Sequence, residues 1–391
     1  MRILHVTPYY ERAWGYGGIP RVVGVLARAQ VRAGHRVAVC TTDAQDASTR
    51  LAATPVGTSE DGGVEVHVFR NLSNRAAYRF QLFTPLRLSR WLGEHVAGFD
   101  VLHLHGCHHL LGAVASRACA ARRVAYVLSP HGTGPLIERR RAAKWVFDAT
   151  VGRGVLSRAR KVLCVSEAER ADLGRLGVAD DRLCVVGNPL ELEAFDPVPD
   201  GGAFRERHGL GQVPLVVFLG KITPRKAVGT LLEAFAGLST PRARLVLAGN
   251  ALGGEAELAR RVRKLGLGER VTRVGQLEGP GRFEVLAAAD VVAYPARHEV
   301  FGLVAFESLL CGTPVVVAND SGCGELVGAL GGGLTVPPGD VAALTFALEK
   351  VLGAPEAYRA AAREAAQRVR VRFSPEAHAA RVVAAYGGAS G

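Results

Sequence analysis

Short apolar runs recur along the chain, separated by longer stretches whose apolar residues return every three or four positions. The first run is Ile3–Thr7. Ile19, Val22, Val23 and Leu26 follow with i, i+3, i+4, i+7 spacing, one face of a helix, and Gly34 stands where that helix would close in a left-handed residue. Further runs lie at Val37–Thr41, Val101–Leu104, Val124–Leu128, Val162–Val165 and Leu183–Val186, while Val64, Val66 and Val68 alternate as in a strand. The polar stretch from about Asp43 to Gly63 reads as a loop. This rhythm predicts a parallel sheet covered on both faces. Pro189–Gly211 has the turn-rich composition of a linker, and a second series follows it: Leu215–Leu219, Leu245–Ala248, Val271–Val274, Val291–Tyr294, Pro314–Ala318 and Leu334–Val336. The expected class is α/β with two Rossmann-like domains, residues 1–195 and 196–373, and a terminal helix within 374–391. A crevice between two such sheets would gather the carboxyl edges of both, where open α/β sheets bind ligands.

Composition narrows this only a little. A chain of 391 residues exceeds what one core supports, and 48% hydrophobic residues can fill two. No apolar run reaches the ~18 residues of a membrane span, and the amino terminus enters a strand pattern directly, so a cytoplasmic protein is expected. The seven cysteines have no framework spacing and sit mostly within or beside apolar runs, as buried thiols do. The net charge of +12 favours an anionic ligand or surface, or simply an Arg-rich composition. With only 6% aromatics and no basic run interleaved with stacking residues, nucleic acid is not expected as a partner. Arg139, Arg140, Arg141 and Lys144 precede Trp145, Val146 and Phe147, a mix that could rest on an anionic leaflet or form a solvated helix face.

The most informative chemistry lies after Tyr294. The run Val291–Tyr294 ends at Pro295, and Leu303–Leu310 reads as the next helix, so Glu299 falls at a sheet's carboxyl edge. Gly302 lets backbone approach a ligand, and the amides of Gly302, Leu303 and Val304 would form the positive end of the helix. Glu307, one turn further in, could accept two hydrogen bonds from neighbouring ribose hydroxyls. The stretch Tyr294–Val317 resembles the signature of the retaining nucleotide-sugar transferases of glycosyltransferase family 4, which have the GT-B fold. The match runs through Glu299, Phe301, Gly302, Leu303, Glu307, Gly312, Pro314, Val315 and Val316, and departs at Val300, where glycine is common. The resemblance implies that Glu307 holds the donor ribose, that Glu299 faces the transferred sugar, and that the terminal helix Pro375–Tyr386 crosses back to the first domain.

Elsewhere the residues say less alone. Gly15, Gly17 and Gly18 precede a helix but do not form G-x-G-x-x-G; together with Ile19–Val23 they are similar to the family's glycine entry, which assigns Gly18 to the donor diphosphate. His131 ends the strand from Val124 and by itself reads more readily as structural, whereas the family places a His-Gly near the transferred sugar. Lys221 and Lys226, with Pro224 bending the chain between them, could turn toward one diphosphate. They resemble the family's phosphate-binding R-x(4)-K-G, with Lys221 in place of arginine and Ala227 in place of glycine. Asn250 and Leu277 follow the next two strands and, by resemblance, line the base pocket. His103, His105, His108 and His109 invite a metal reading but lack carboxylate partners, so no metal is expected. No cofactor is expected beyond the donor substrate, a UDP- or GDP-sugar.

The implied activity is metal-independent, retaining sugar transfer to a hydroxyl acceptor, a lipid-linked saccharide or a soluble natural product. The acceptor would meet Tyr9–Tyr16, Asn71–Phe83 and Gly106–Leu111. A nucleotide-sugar 2-epimerase, a phosphorylase and a non-catalytic nucleotide-sugar-binding subunit remain as alternatives.

Overall fold

The computed structural model describes residues 1–387 apart from 12, 14–15, 47–48, 52–56, 135–146, 148–149, 151 and 252, and apart from the side chain of Arg79. The chain divides into two compact units, Met1–Leu190 with Pro375–Gly391, and Glu191–Ser374. The basic cluster Arg139–Lys144 and Gly15 lie outside the described residues.

The first unit is built on strands β1 (Arg2–Val6), β2 (Arg36–Thr42), β3 (Gly57–Asp61), β4 (Val64–Phe69), β5 (Val101–His105), β6 (Tyr126–Ser129), β7 (Lys161–Cys164) and β8 (Leu183–Val185). Their order is β3-β4-β2-β1-β5-β6-β7-β8, and every pairing is parallel except β3 with β4. Alternate residues feed two cores. Leu4, Val6, Leu102, Leu104 and Leu128 face one side; Ile3, Val37, Val39, Val101 and Val127 face the other, beneath the helices Ile19–Arg32 and Pro375–Gly387. Because the strand period is two, His5, His103 and His105 share the face of Ile3 and Val101. They therefore lie under those two helices.

Two expectations are corrected. The polar stretch before Gly63 is not all loop, since Gly57–Asp61 forms the antiparallel edge strand β3. Its GTSED sequence has no apolar alternation because an edge strand buries little. The signal was in the turn: Asp61 pairs with Val64 across Gly62 and Gly63, both at positive φ (56° and 82°), the pairing that two-residue hairpins demand. Nor is Pro189–Gly211 simply a linker. Asp200 caps a helix Gly201–Arg207 by accepting from the Gly202 amide at 2.8 Å, and Phe204 anchors that helix in the core of the second unit.

The second unit carries β9 (Leu215–Leu219), β10 (Arg244–Ala248), β11 (Val271–Gly275), β12 (Val291–Tyr294), β13 (Val315–Ala318) and β14 (Gly333–Val336), all parallel, in the order β11-β10-β9-β12-β13-β14. The chain winds outward in both directions from the adjacent pair β9 and β12. This is the topological switch point, where helices leave on opposite faces and the strand ends open onto a crevice. The loops after β9 and β12 begin there, and they carry Lys221, Lys226 and Glu299.

Candidate functional site

After β9 the chain turns through Gly220 (φ +147°), reaches Lys221, and forms a short turn Pro224–Lys226 ahead of the helix Val228–Ala236. That turn ends in Ala227, which adopts left-handed backbone at φ +51°, ψ +34°. A β-carbon there costs roughly 1–2 kcal/mol, which explains the glycine expected at this position. The turn aims Lys226 at the end of β12, where Nζ bonds both Glu299 Oε2 and the Tyr294 hydroxyl and lies 4.5 Å from the Tyr294 ring centre. Tyr294 also donates to Glu299 Oε2 at 3.1 Å. Lys226 and Glu299 are thus one ion pair, with side chains 13% and 14% exposed. The family resemblance assigns them separate tasks, the diphosphate to Lys226 and the transferred sugar to Glu299.

Burial pushes the Glu299 carboxyl up, but the charges of Lys226 and Arg225 and the hydrogen bonds from Lys226 and Tyr294 outweigh it and hold the group below its ordinary value. Burial, then the Glu299 charge, raises the Tyr294 hydroxyl well above its usual range. Among the described residues Lys221 has no such carboxylate partner. Burial, reinforced by Lys226 and Arg225, pushes its ammonium down to about 8. Arg225, which lies between the two lysines in sequence, completes the cationic set, its guanidinium donating to the His298 carbonyl at 3.2 Å.

Gly302 begins the helix Leu303–Leu310 at φ +76°. A β-carbon there would lie 2.6 Å from Cys323 Sγ and 3.3 Å from Glu299 Cγ, so glycine is required by both backbone and space. Leu303 and Val304 are half-buried at the helix's amino end, whose first amides lack intrahelical acceptors. Glu307 lies one turn on and is only 3% exposed. Phe301, a residue of the family signature and so a candidate for substrate contact, spends its ring in the core, with centroids 4.8 Å from Phe306 and 5.0 Å from Phe373. Only its backbone remains for a ligand. The two rings it meets dock this helix against the helix Pro355–Arg372, and such aromatic pairs contribute about 0.5–1.5 kcal/mol each beyond area burial.

Asn250 and Leu277 follow β10 and β11 at the same edge. The backbone there is closely packed: a β-carbon on Gly249 would meet the Gly220 carbonyl at 1.9 Å, and the Gly249 amide donates to Gly275 at 2.6 Å.

In the first unit Gly18 caps the helix Ile19–Arg32 in ordinary right-handed backbone, while Gly17 takes the positive φ, +102°. His131 follows β6 at φ +52°. Its Nε2 lies 3.0 Å from His105 Nδ1, and its buried Nδ1 has no partner in hydrogen-bond geometry among the described residues, although the Asn188 side chain acts on the ring. Burial holds the imidazole at about 4 against a weaker opposing pull from the Asn188 side chain. The next residue, Gly132, donates its amide to Glu169 Oε1 at 2.5 Å, and Val165 donates to Oε2 at 2.7 Å. Burial, opposed by those two bonds, raises the Glu169 carboxyl to about 7. Sequence reasoning missed Glu169, although Ser166-x-x-Glu169 is a capping-box pattern and Ser166 does cap its helix. The histidine cluster also differs from expectation. Among the described residues the ligand atoms of His5, His103 and His105 lie within 4.8 Å of one another, whereas His109 is spent as a helix cap.

Residues 202–368 match the family model described as glycosyl transferases group 1, and residues 16–194 match that of glycosyltransferase family 4. The chain is 32% identical over 385 residues to the D-inositol 3-phosphate glycosyltransferase of Stackebrandtia nassauensis, an alignment spanning 92% of this chain and 84% of that protein. The protein of the same name from Jonesia denitrificans is 29% identical over 94% of this chain and 91% of its own length. Among solved structures, HepE of Anabaena in complex with UDP and glucose superposes with a TM-score of 0.77 at 20% identity, covering 99% of both chains. Sucrose-phosphate synthase of Thermosynechococcus elongatus gives 0.77 at 22% identity, covering 99% of this chain and 98% of the other.

Proposed function

The chain belongs to glycosyltransferase family 4, has the GT-B fold and is a sugar-transferring enzyme, and we propose that it moves a sugar from a nucleoside diphosphate to a hydroxyl with retention of configuration. The observation that carries this reading is the convergence of Lys221, Arg225 and Lys226 at the switch point, beside the amino end of the helix Leu303–Leu310. Breaking a glycosyl–phosphate bond leaves negative charge on the diphosphate, and fixed donors around it lower the barrier most. Lys221, Arg225 and the amides of Gly302–Val304 supply them, with Gly18 contributing by the family resemblance. Lys226 enters as a charge already balanced by Glu299. Incoming phosphate competes with that carboxylate, which frees Glu299 to orient sugar hydroxyls.

Glu307 takes the ribose, and Asn250 and Leu277 border the base. His131 meets the transferred sugar by the same resemblance. No metal ion takes part in this scheme. HepE has been solved with UDP and with UDP-glucose, which supports a uridine donor, and a guanosine donor is the alternative. For the acceptor, the exposed apolar side chains Leu72 and Phe80, 66% and 57% accessible, together with Leu82 and Leu86, support a lipid-linked saccharide. The two named relatives support a polar acceptor instead. No helix among the described residues is long and apolar enough to cross a membrane.

A thermal-shift panel of uridine, guanosine and adenosine diphosphates tests the reading. One nucleotide should stabilise the protein, and its sugars should be turned over with D-inositol 3-phosphate or a lipid-linked saccharide. Stabilisation by none of the three removes the nucleotide-sugar donor. Glu307→Gln should raise the donor KM with little change in kcat, because ribose contacts exist before and during reaction.

A further inference from the structure

Behind His131 a single hydrogen-bonded chain crosses the first unit. His131 Nε2 lies 3.0 Å from His105 Nδ1, His105 Nε2 lies 2.9 Å from His5 Nδ1, and His5 Nε2 lies 2.7 Å from Gln30 Oε1. Gln30 Nε2 then donates to the Tyr386 hydroxyl at 3.1 Å, that hydroxyl lies 2.7 Å from His103 Nδ1, and His103 Nε2 lies 2.8 Å from Ser129 Oγ. The members come from β1, β5, β6 and both covering helices, and His5, Gln30, His103, His105 and Tyr386 are fully or almost fully buried.

The protons in such a chain are not independent. Burial keeps the imidazoles neutral, so each ring has one N–H and one lone pair. A carboxamide oxygen only accepts, so His5 must carry its proton on Nε2. His5 Nδ1 then accepts from His105 Nε2–H, and His105 Nδ1 accepts from His131 Nε2–H. On the other arm the Gln30 amide donates to Tyr386, Tyr386 donates to His103 Nδ1, and His103 Nε2–H is left for Ser129. Every contact in the chain pairs one donor with one acceptor. The free lone pair emerges at His131 Nδ1, a buried nitrogen with no partner in hydrogen-bond geometry among the described residues; the Asn188 side chain, whose Oδ1 is likewise buried and unpartnered, acts on this imidazole, so an unprotonated Nδ1 calls for the Asn188 amide N–H, not its oxygen, to face it.

We infer that the Gln30 carboxamide, acting through His5 and His105, fixes the proton of His131 on Nε2, so that Nδ1 is left as a hydrogen-bond acceptor. Gln30, His5 and His105 are positioning residues. The ligand role of His131 rests on the donor reading above, whereas the tautomer does not. A carboxamide suits this task because its two ends are unlike: an apolar side chain at position 30 would leave both arms free to run either way. The same geometry argues against a metal ion among His5, His103 and His105, since both ring nitrogens of each are already engaged in the chain and an ion would have to displace those bonds.

Long-range proton–nitrogen NMR on the full chain labelled at histidine reads the tautomers directly, with His131→Asn used to assign the key signal. At neutral pH, without substrate, His5, His103, His105 and His131 should all show Nε2–H. Gln30→Glu, whose carboxylate can only accept, should leave His131 as Nε2–H while turning His103 to Nδ1–H. Gln30→Met should give His131 as a mixture. Nδ1–H at His131 in the unaltered protein, an unchanged tautomer in Gln30→Met, or stoichiometric zinc on the three histidines would overturn the proposal. Since no substrate is present, an error in the donor assignment leaves these outcomes readable.

Discussion

Each unit places a buried polar cluster at the two parallel strands where its strand order reverses, β1 and β5 in the first, β9 and β12 in the second. In the first the cluster is a chain of uncharged imidazoles, each held neutral by burial. In the second it is a lysine, a glutamate and a tyrosine, with two further cations at hand. The neutral network needs only that donors match acceptors, and it then rigidifies whatever it touches. A buried charge needs a counter-charge, and the counter-charge can be exchanged for a ligand's. On the proposed reading, the same topology carries a neutral network that positions in the first unit and a charge pair that exchanges with an anion in the second.

Acid should separate the two most sharply. Six histidines of the first unit, His5, His103, His105, His109, His131 and His378, titrate below their ordinary value because of burial. The unfolded chain therefore binds more protons below pH 6.5, and the stability these groups contribute is present above that pH and lost as pH falls toward 4. Each can remove up to about 1.4 kcal/mol per pH unit. Glu169, raised to about 7, works the other way, because its folded form binds the extra proton between 4.5 and 7, but it is one group against these six and the less buried His35 and His67, which shift in the same direction as they do. The net loss should be on the order of several kcal/mol. All three tryptophans belong to the first unit's part of the sequence. Tryptophan emission should accordingly change at higher pH than the far-ultraviolet signal of the whole chain; coincident transitions would show that the units do not differ.

The next largest effect belongs to the ion pair. Lys226→Ala leaves Glu299 buried without its counter-charge, which should cost roughly 3–5 kcal/mol and lower kcat about 10²-fold or more. Lys226→Met with Glu299→Gln separates the two consequences. Stability should return, because no unpaired charge is left, while activity should not. Recovery of both in urea unfolding and turnover assays would reduce the pair to a structural role.

The contrast also explains what could be read from residue order. Strand runs and the Glu299–Glu307 stretch were legible because buried parallel strands are written as continuous apolar segments and the glycine at 302 marks a forced turn. Partnership was not legible. Nothing in the spacing of Lys226 and Glu299 says that they meet each other rather than a ligand, since the contact joins two loops through strands adjacent only in the folded sheet. The imidazole chain was half legible. Alternation put His103 and His105 on one face, but His5 comes from β1 and Gln30 from a helix. The clue was Gln30 itself, a polar residue at the helical spacing of Val23, Leu26 and Ala27 on a buried face. Phe301 went the other way, a motif residue whose side chain belongs to packing.

Lys221 gives a smaller but cleaner handle. Held at about 8, it loses its charge as pH rises past that value, and affinity for a nucleoside diphosphate should weaken by up to about tenfold per pH unit above it. Calorimetric titration of the diphosphate between pH 7 and 9.5 reads this. Lys221→Arg, whose guanidinium keeps its charge throughout, should flatten the curve; a slope surviving the change assigns the titration to another group.

The smallest expected effect compares two residues with the same backbone sign. Gly302 and Ala227 both adopt positive φ, but a β-carbon at 302 has no room, whereas at 227 one is already accommodated and buried. Ala227 therefore carries only the intrinsic left-handed penalty, roughly 1–2 kcal/mol, and replacing it by glycine recovers that while giving up about 0.4–1 kcal/mol to the freer unfolded chain. Ala227→Gly should stabilise the protein by about 1 kcal/mol or less in urea unfolding. It should also loosen the turn that aims Lys226, so any cost should fall on kcat rather than on folding. A loss of stability would mean that the Ala227 methyl packs more productively than its backbone is strained, and that this chain departs from glycine there for the sake of its core.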